Sequence, residues 1–179
     1  MVRAAAAGTY TTRLSQGRTV TTRIAQMPGP ITPVSWRLSV EDWQPGSSAT
    51  RTEVTRHELT LTQLLPWSQL PELADAAGIG TYRTTLTLPE GWSAAHGAYL
   101  ELRQVSDTCR VRVNGLALPA VDRINSVLDL GTWLRAGDNL IEIEVATPLV
   151  NRLRITSPAV FGTTPRQPYG LTGPVRVVP

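Results

Sequence analysis

Lysine is absent from this chain of 179 residues, and all 17 basic residues are arginine. Total exclusion of lysine is typical of a codon bias rather than of selection for phosphate binding. The arginines are scattered singly along the sequence, and the net charge is only +3. A nucleic-acid-binding surface would need clustered basic residues with stacking aromatics. The composition therefore predicts no nucleic-acid partner.

Cysteine, histidine and long apolar runs are also scarce. Cys109 is the single cysteine, so no intrachain disulfide can form. His57 and His96 lie far apart, and neither zinc-ligand spacing nor a dense Asp/Asn loop for calcium occurs. We therefore expect no metal and no cofactor. No apolar run approaches the roughly 20 residues of a membrane-spanning helix, and the first ten residues lack the apolar core of a signal peptide.

Alternation of apolar and polar residues dominates the chain from Val34 onward. The segment "TYRTTLTLP", for example, places Tyr82 and Leu86 on the same face of a strand. About eight such segments are separated by turns, and the long helices needed for parallel βαβ units are missing. One exception, "PELADAAG", predicts one or two helical turns between Pro71 and Gly78. The pattern predicts an all-β fold, a jelly-roll β-sandwich.

The N-terminal segment has a pattern of its own. Tyr10–Leu14 and Thr19–Ile24 alternate around "SQG", which predicts a β-hairpin with glycine at its turn. The prolines of the following "MPGPITP" predict a stiff connector that runs to residue 33. Because a two-stranded hairpin is marginally stable alone, we interpret residues 1–28 as the edge of a preceding domain. Residues 34–179 then form the sandwich.

The strand "TCRVRV" has two chemically different faces. Cys109 and two valines point to one side, and Arg110 and Arg112 point to the other. Leu140–Val145 alternates in the same way, with two glutamates opposite its apolar residues. If both strands lie in one sheet, the arginine and glutamate rows pair across a solvated face, and the alternative is a platform for an acidic ligand. Asn114-Gly115 predicts a tight hairpin turn, and Cys109 is expected to be a small, inert hydrophobe rather than a reactive thiol.

Four segments carry a resemblance to a known family: "GTYRTTLTLPEGW", "VSDTCRVRVNGLALP", "VLDLGTWLRAGDNLIEIEVAT" and the closing "YGLTGPVRVV". They resemble the sugar-binding, galactose-binding-like jelly-roll domain of glycoside hydrolases. Family 2 enzymes share this pattern with the C-terminal accessory domain of family 106 α-L-rhamnosidases. The beginning, "SWRLSVEDWQPG", and the end of the chain are more similar to the rhamnosidase type.

The resemblance implies a non-catalytic domain of a larger, secreted glycoside hydrolase. In the resembling enzymes the catalytic carboxylates lie on a separate barrel domain, so we expect no catalytic residue in this chain. The implied partners are a carbohydrate and the catalytic domain of the parent chain, and the implied oligomeric state is a monomer. The alternative is a purely structural domain that packs on a catalytic domain and has no sugar affinity of its own.

Loop aromatics and polar residues at predicted strand ends form the candidate sugar site. Sugar sites combine an aromatic face with polar groups that orient hydroxyls. We expect the ligand-binding residues to be Trp67, Asp107, Asn151, Arg152 and Tyr169. The alternatives are a core plug for Trp67, a turn former for Asp107, and a surface or inter-domain contact for Arg152.

Overall fold

The computed structural model describes residues 4, 6–48, 50–93, 96–105, 108–122 and 124–178. Within these residues the chain is mostly β, in agreement with the predicted fold class. The strands are β1 (Gly8–Arg13), β2 (Thr19–Ile24), β3 (Trp36–Pro45), β4 (Thr52–Leu61), β5 (Gly78–Leu88), β6 (Tyr99–Val105), β7 (Thr108–Val113), β8 (Leu116–Ala117), β9 (Val127–Asp129), β10 (Gly137–Ala146) and β11 (Leu171–Val178). Two short helices, α1 (Val150–Thr156) and α2 (Pro158–Phe161), separate β10 from β11. No helix of the described residues is long and apolar enough to cross a membrane.

Two antiparallel sheets form the sandwich. The larger has the strand order β4-β3-β5-β10-β7-β8, and the smaller has the order β11-β6-β9. Alternate side chains of β3, β5, β7 and β10 are buried, as the period of two requires. The apolar residues of both sheets form one core, which includes Trp36, Leu38, Tyr82, Val111, Ile141, Ile143, Leu100, Leu102, Leu171 and Val175. Burial of each large apolar side chain stabilises the fold by roughly 1.5–3 kcal/mol.

The predicted turn at Asn114-Gly115 joins β7 to β8. Both residues have a positive φ, 52° and 81°, which is the geometry of a tight hairpin turn. The Asn114 side chain also donates to Oδ1 of Asn139 at 3.0 Å and accepts from the Leu140 backbone N–H at 3.0 Å. Asn139 is fully buried. The asparagine pair therefore ties this hairpin to the beginning of β10.

Two local predictions need correction. The helical turn expected at Pro71 is a single 3-10 turn over Pro71–Leu73, and Gly78 begins β5 instead of ending a helix. Asn151 and Arg152, expected at a predicted strand end, lie in α1 instead. A helix of seven residues is too short to be stable by propensity, so tertiary contacts, described below, must hold it. Because those contacts join residues far apart in the chain, the periodicity of the sequence did not predict this helix.

The N-terminal hairpin forms as predicted. β1 and β2 pair in register from Gly8↔Ile24 to Arg13↔Thr19, in a two-stranded sheet of their own. Most of its residues are exposed. The proline-rich connector that follows is joined to β11 by a bridge between Ile31 and Val177. The assignment of residues 1–28 to a preceding domain stays a prediction.

Candidate functional site

Trp67, the first of the predicted ligand-binding residues, lies inside the sandwich. Its side chain is fully buried, and its indole N–H donates to the Tyr82 hydroxyl at 2.7 Å. Gly80 lies directly against the ring, because a Cβ atom there would come within 2.4 Å of it. The Trp67 backbone N–H donates to the Tyr169 carbonyl at 2.9 Å. The residue thus occupies the position of a core plug, one of the two interpretations left open by the sequence.

Asn151 and Tyr169 are brought close to Trp67 by the segment before β11. Tyr169 is only 5% exposed and precedes a bend at Gly170, whose φ is +98°. Asn151 of α1 is fully buried. Its amide nitrogen donates to the Gln167 carbonyl at 2.9 Å, and its Oδ1 accepts from the Gln167 N–H at 2.7 Å. The Asn151 side chain therefore fastens the segment that carries Tyr169 to the helix.

Arg152 forms a buried ion pair with Asp42 of β3. Its Nη2 donates to the two carboxylate oxygens at 2.7 and 2.5 Å, and the two side chains are 13% and 4% exposed. Asp42 also accepts from the Ala77 N–H at 3.1 Å and from the Gln44 amide at 3.0 Å. His57 Nε2 lies 3.7 Å from Asp42 Oδ2. Burial of two charges is tolerated only when they are paired and further hydrogen-bonded, and Asp42 meets both conditions.

A second carboxylate, Asp75, continues this network towards the surface. Arg166 donates to both Asp75 oxygens at 2.8 Å, and Arg154 Nη1 lies 3.5 Å from Oδ1. The hydrogen bond from Arg166 is the main cause that lowers the pKa of Asp75, and the charges of Arg166 and Arg154 add to it. We call the whole group the polar end cluster, defined as Asp42, His57, Asp75, Asn151, Arg152, Arg154 and Arg166.

Four of the predicted site residues therefore meet at one end of the sandwich, but they are mostly buried there. Their side chains pack and hydrogen-bond within the protein, and sugar binding by them stays a prediction. Asp107 lies outside the described residues. Asp42 was not among the predicted site residues. The alternation of β3 places it on the inward side of the strand, which is unusual for a carboxylate and could have drawn attention to it. In the described part of the chain, no group of three or more His, Cys, Asp or Glu side chains could hold a metal ion.

The outer face of the six-stranded sheet carries the predicted arginine and glutamate rows. Arg110 lies opposite Glu144, and Arg112 lies opposite Glu142. Arg110 Nη1 is 3.7 Å from Glu144 Oε1, and Glu142 accepts from Arg83 Nε at 2.9 Å. The predicted pairing is confirmed for Arg110 with Glu144, whereas Glu142 pairs with Arg83 and Arg112 contacts the Gly115 carbonyl at 3.5 Å instead.

Cys109 lies on the other side of β7, as predicted. Its side chain is half-buried and packs against the core. Burial raises the pKa of the Cys109 thiol to about 12, and the charge of Glu144 adds to the shift. The thiol is therefore neutral near physiological pH, as expected of an inert cysteine.

A cavity of about 620 Å³ opens on the outer face where the connector meets the sheet. Residues 32–35 form one wall, and Arg37 of β3 and Arg83 of β5 lie beside each other in the floor. Thr60, Thr85 and Leu140 complete the lining. We call this cavity the arginine groove, defined as residues 32–37, Thr60, residues 83–85 and Leu140.

No protein-family model and no curated protein matches this chain. Solved structures do match it. The rhamnosidase from Novosphingobium sp. PP1Y aligns with a TM-score of 0.65 and 24% identity over 93% of this chain and 19% of its own length. A GH2 β-galacturonidase from Eisenbergiella tayi aligns with a TM-score of 0.51 and 16% identity over 85% of this chain and 24% of its own. The Ruminococcus gnavus β-glucuronidase in complex with uronic isofagomine aligns with a TM-score of 0.50 and 14% identity over 68% of this chain and 22% of its own length.

The chain has the fold of a domain found in these glycosidases. The predicted resemblance to rhamnosidase and GH2 chains is thereby confirmed at the level of structure, and the rhamnosidase match includes nearly the whole chain. At these identities the likeness shows the fold alone. The chain spans only 19–24% of the length of the neighbours described.

Proposed function

We propose that this chain is a non-catalytic accessory β-sandwich domain of a larger glycoside hydrolase of the rhamnosidase type. The observation that carries the proposal is the match to the Novosphingobium rhamnosidase, which covers 93% of this chain and only 19% of that enzyme. Fold alone does not determine function, but a unit of this size is typical of one domain among several in a long chain. Its partners are then the catalytic domain of the parent chain and a carbohydrate, and its place is outside the cell, as a monomer.

The contacts of three carboxylates, on Asp42, Asp75 and Glu142, are those of structural rather than catalytic groups. Glycoside hydrolysis normally uses two carboxyl groups about 5–10 Å apart, one of them with a raised pKa so that it acts as an acid. Asp42, Asp75 and Glu142 are each engaged by an arginine. The hydrogen bond from Arg166 lowers the pKa of Asp75, which is the wrong direction for a general acid.

A hydrolysis assay tests this role. The purified chain is incubated with p-nitrophenyl α-L-rhamnoside and with p-nitrophenyl β-D-glucuronide, and we expect no release of nitrophenol above the buffer rate. Turnover that persists through repurification and disappears when a single carboxylate is replaced by its amide would contradict the proposal.

A second candidate function, carbohydrate binding by the domain itself, is favoured by the arginine groove. The groove is open and is lined by hydroxyl, guanidinium and apolar groups, the mixture that saccharide sites use. Affinity gel electrophoresis against neutral and acidic plant and bacterial polysaccharides tests this candidate. Retardation by at least one polysaccharide supports binding. If none of them retards the folded chain, carbohydrate binding is contradicted and the structural role is the one that remains.

A further inference from the structure

We propose that the arginine groove binds the carboxylate of an acidic sugar, so that this domain recognises oligosaccharides that contain uronic acids. The inference rests on the carbohydrate-binding function proposed above and names its ligand class. It starts from an arrangement of like charges. Arg37 of β3 and Arg83 of β5 are direct Cα partners on the outer face of the larger sheet. Like charges directly opposite each other destabilise a sheet, so the pair has a cost in the absence of an anion.

Carboxylates of the described residues neutralise only one of the two arginines. Arg83 donates through Nε to Glu142 at 2.9 Å, which leaves its terminal amino groups available, and its side chain is 42% exposed. Arg37 is exposed and makes no hydrogen bond or ion pair with any described residue. A carboxylate bound between them would accept charge-assisted hydrogen bonds from both guanidinium groups.

The partners of the arginines differ along the outer face. Elsewhere on the same face, Arg56 bonds to Glu41 at 3.0 Å, and Arg110 lies 3.7 Å from Glu144. Glu142 bonds to Arg83 rather than to Arg112, and Arg112 lies 3.5 Å from the Gly115 carbonyl. Arg37 has neither a carboxylate nor a carbonyl partner among the described residues, so its positive charge at the cavity is not compensated.

Hydrogen bonds within the protein fix the wall of the groove. Thr84 Oγ1 donates to the Ser35 carbonyl at 2.8 Å, and the Trp36 indole N–H donates to the Pro33 carbonyl at 3.3 Å. These bonds hold the connector wall against the sheet. The volume of about 620 Å³ lies within the range of roughly 300–1,000 Å³ that is common for small-molecule sites.

The remaining lining favours a sugar over a simple anion. Val34 is 72% exposed on the wall and Leu140 is 39% exposed on the floor, so two apolar surfaces face the cavity. The exposed Thr60 and Thr85 add hydroxyl groups beside them. Apolar side chains contact the C–H faces of a sugar ring, and hydroxyl groups exchange hydrogen bonds with its hydroxyls. A guanidinium pair beside such a surface fits a sugar that carries a carboxylate.

The test compares one saccharide in two charge states. Trigalacturonate and its fully methyl-esterified form are titrated into the intact chain by calorimetry at low salt. We expect the acid to bind about tenfold or more tightly than the ester, because only the acid forms ionic hydrogen bonds with the arginines. We expect Arg37→Gln and Arg83→Gln each to weaken binding of the acid about tenfold and to weaken binding of the ester much less, so that the preference for the acid falls.

Arg56→Gln is the matched control, because Arg56 lies on the same face but outside the groove. Equal binding of acid and ester, or an equal loss in Arg56→Gln, would overturn the assignment. The comparison of acid with ester uses the unmodified chain, so it decides the question even if a variant fails to fold. Binding of neutral polysaccharides without the acid would overturn this inference and keep the carbohydrate-binding function. No binding of any saccharide would overturn both this inference and the carbohydrate-binding function.

Discussion

Arginines gather in two regions of this molecule, and the two regions treat them differently. In the polar end cluster, Arg152 is buried against Asp42, whose oxygens are filled by further donors. In the arginine groove, the exposed Arg37 lies beside the half-exposed Arg83, and of the two only Arg83 has a carboxylate partner, Glu142 of β10. The first region is a closed network in which every carboxylate is used within the protein. The second region has a positive charge at Arg37 with no carboxylate partner among the described residues, and a bound anion would neutralise it.

This difference carries an energetic expectation. Removal of one partner of a buried ion pair leaves an uncompensated charge in a medium that solvates it poorly. Exposed pairs are solvated whether or not they are intact, and salt screens them. Substitutions in the polar end cluster should therefore change the free energy of unfolding, and equivalent substitutions on the outer face should not.

The largest effect is expected for Asp42→Ala. The change leaves Arg152 buried without a counter-ion, and we expect a loss of about 3–5 kcal/mol in the free energy of unfolding. Glu41 precedes Asp42 and lies on the outer face of β3. Glu41→Ala removes only the pair with Arg56, which is solvent-exposed, and should cost less than about 1 kcal/mol. Urea denaturation of both variants measures the difference. Similar losses in the two would mean that the regions do not differ as described.

Gly170→Ala separates backbone strain from crowding at the end of the sandwich. An added Cβ would lie 2.6 Å from the Trp67 ring, and the residue also has a left-handed φ of +98°. We expect the variant to lose about 2–4 kcal/mol, from strain and overpacking together. Gly137→Ala has a comparable φ of +77° with no atom within 4 Å, so it should lose only about 1–2 kcal/mol. Thermal denaturation compares the two, and an equal loss would contradict the crowding.

Tyr82→Phe tests the buried hydrogen bonds beneath the polar end cluster. The Tyr82 hydroxyl accepts from the Trp67 indole at 2.7 Å and from the Leu171 N–H at 3.1 Å. Loss of this acceptor leaves two buried N–H groups without a hydrogen bond, and we expect the free energy of unfolding to fall by about 1–3 kcal/mol. Tyr10→Phe removes an exposed hydroxyl that donates to the Ala6 carbonyl, and it serves as the control. The prediction fails if chemical denaturation finds the two variants equally stable.

The smallest effect concerns Cys109, on the inner side of the strand that carries Arg110 and Arg112. Burial raises the pKa of its thiol from 9.0 to about 12. The folded state therefore favours the neutral thiol; the resulting stability is complete below pH 9.0 and is lost as the pH rises towards about 12. Because the thiolate is the nucleophile, we expect alkylation of the folded chain to be slow and still accelerating between about pH 9 and 10.

The control for this measurement is the same chain in urea, where the thiol has its ordinary pKa and alkylation should be much faster at each pH up to about 9. Equal rates for the folded and unfolded chains at neutral pH would mean that Cys109 faces solvent and that Arg110 and Arg112 face the core.

The sequence by itself determined which side of each strand faces inward. Alternation placed Cys109 in the apolar row and Arg110 in the polar row, because in a strand the direction of a side chain follows from its position alone. The turn at Asn114-Gly115 and the N-terminal hairpin were equally local, since positive φ values restrict the residue types that fit. The resemblance to glycosidase domains followed from the same local pieces.

Only the tertiary structure decided which polar residues are structural and which are available. Asp42 and Arg152 are 110 residues apart, and nothing between them signals that they meet. The apposition of Arg37 with Arg83 likewise depends on the register between β3 and β5. Trp67, expected as a loop aromatic that contacts sugar, is buried, and Gly80 and Gly170 leave room for its ring. Burial and pairing depend on what the other strands bring to a position, and a single strand's pattern does not contain that information.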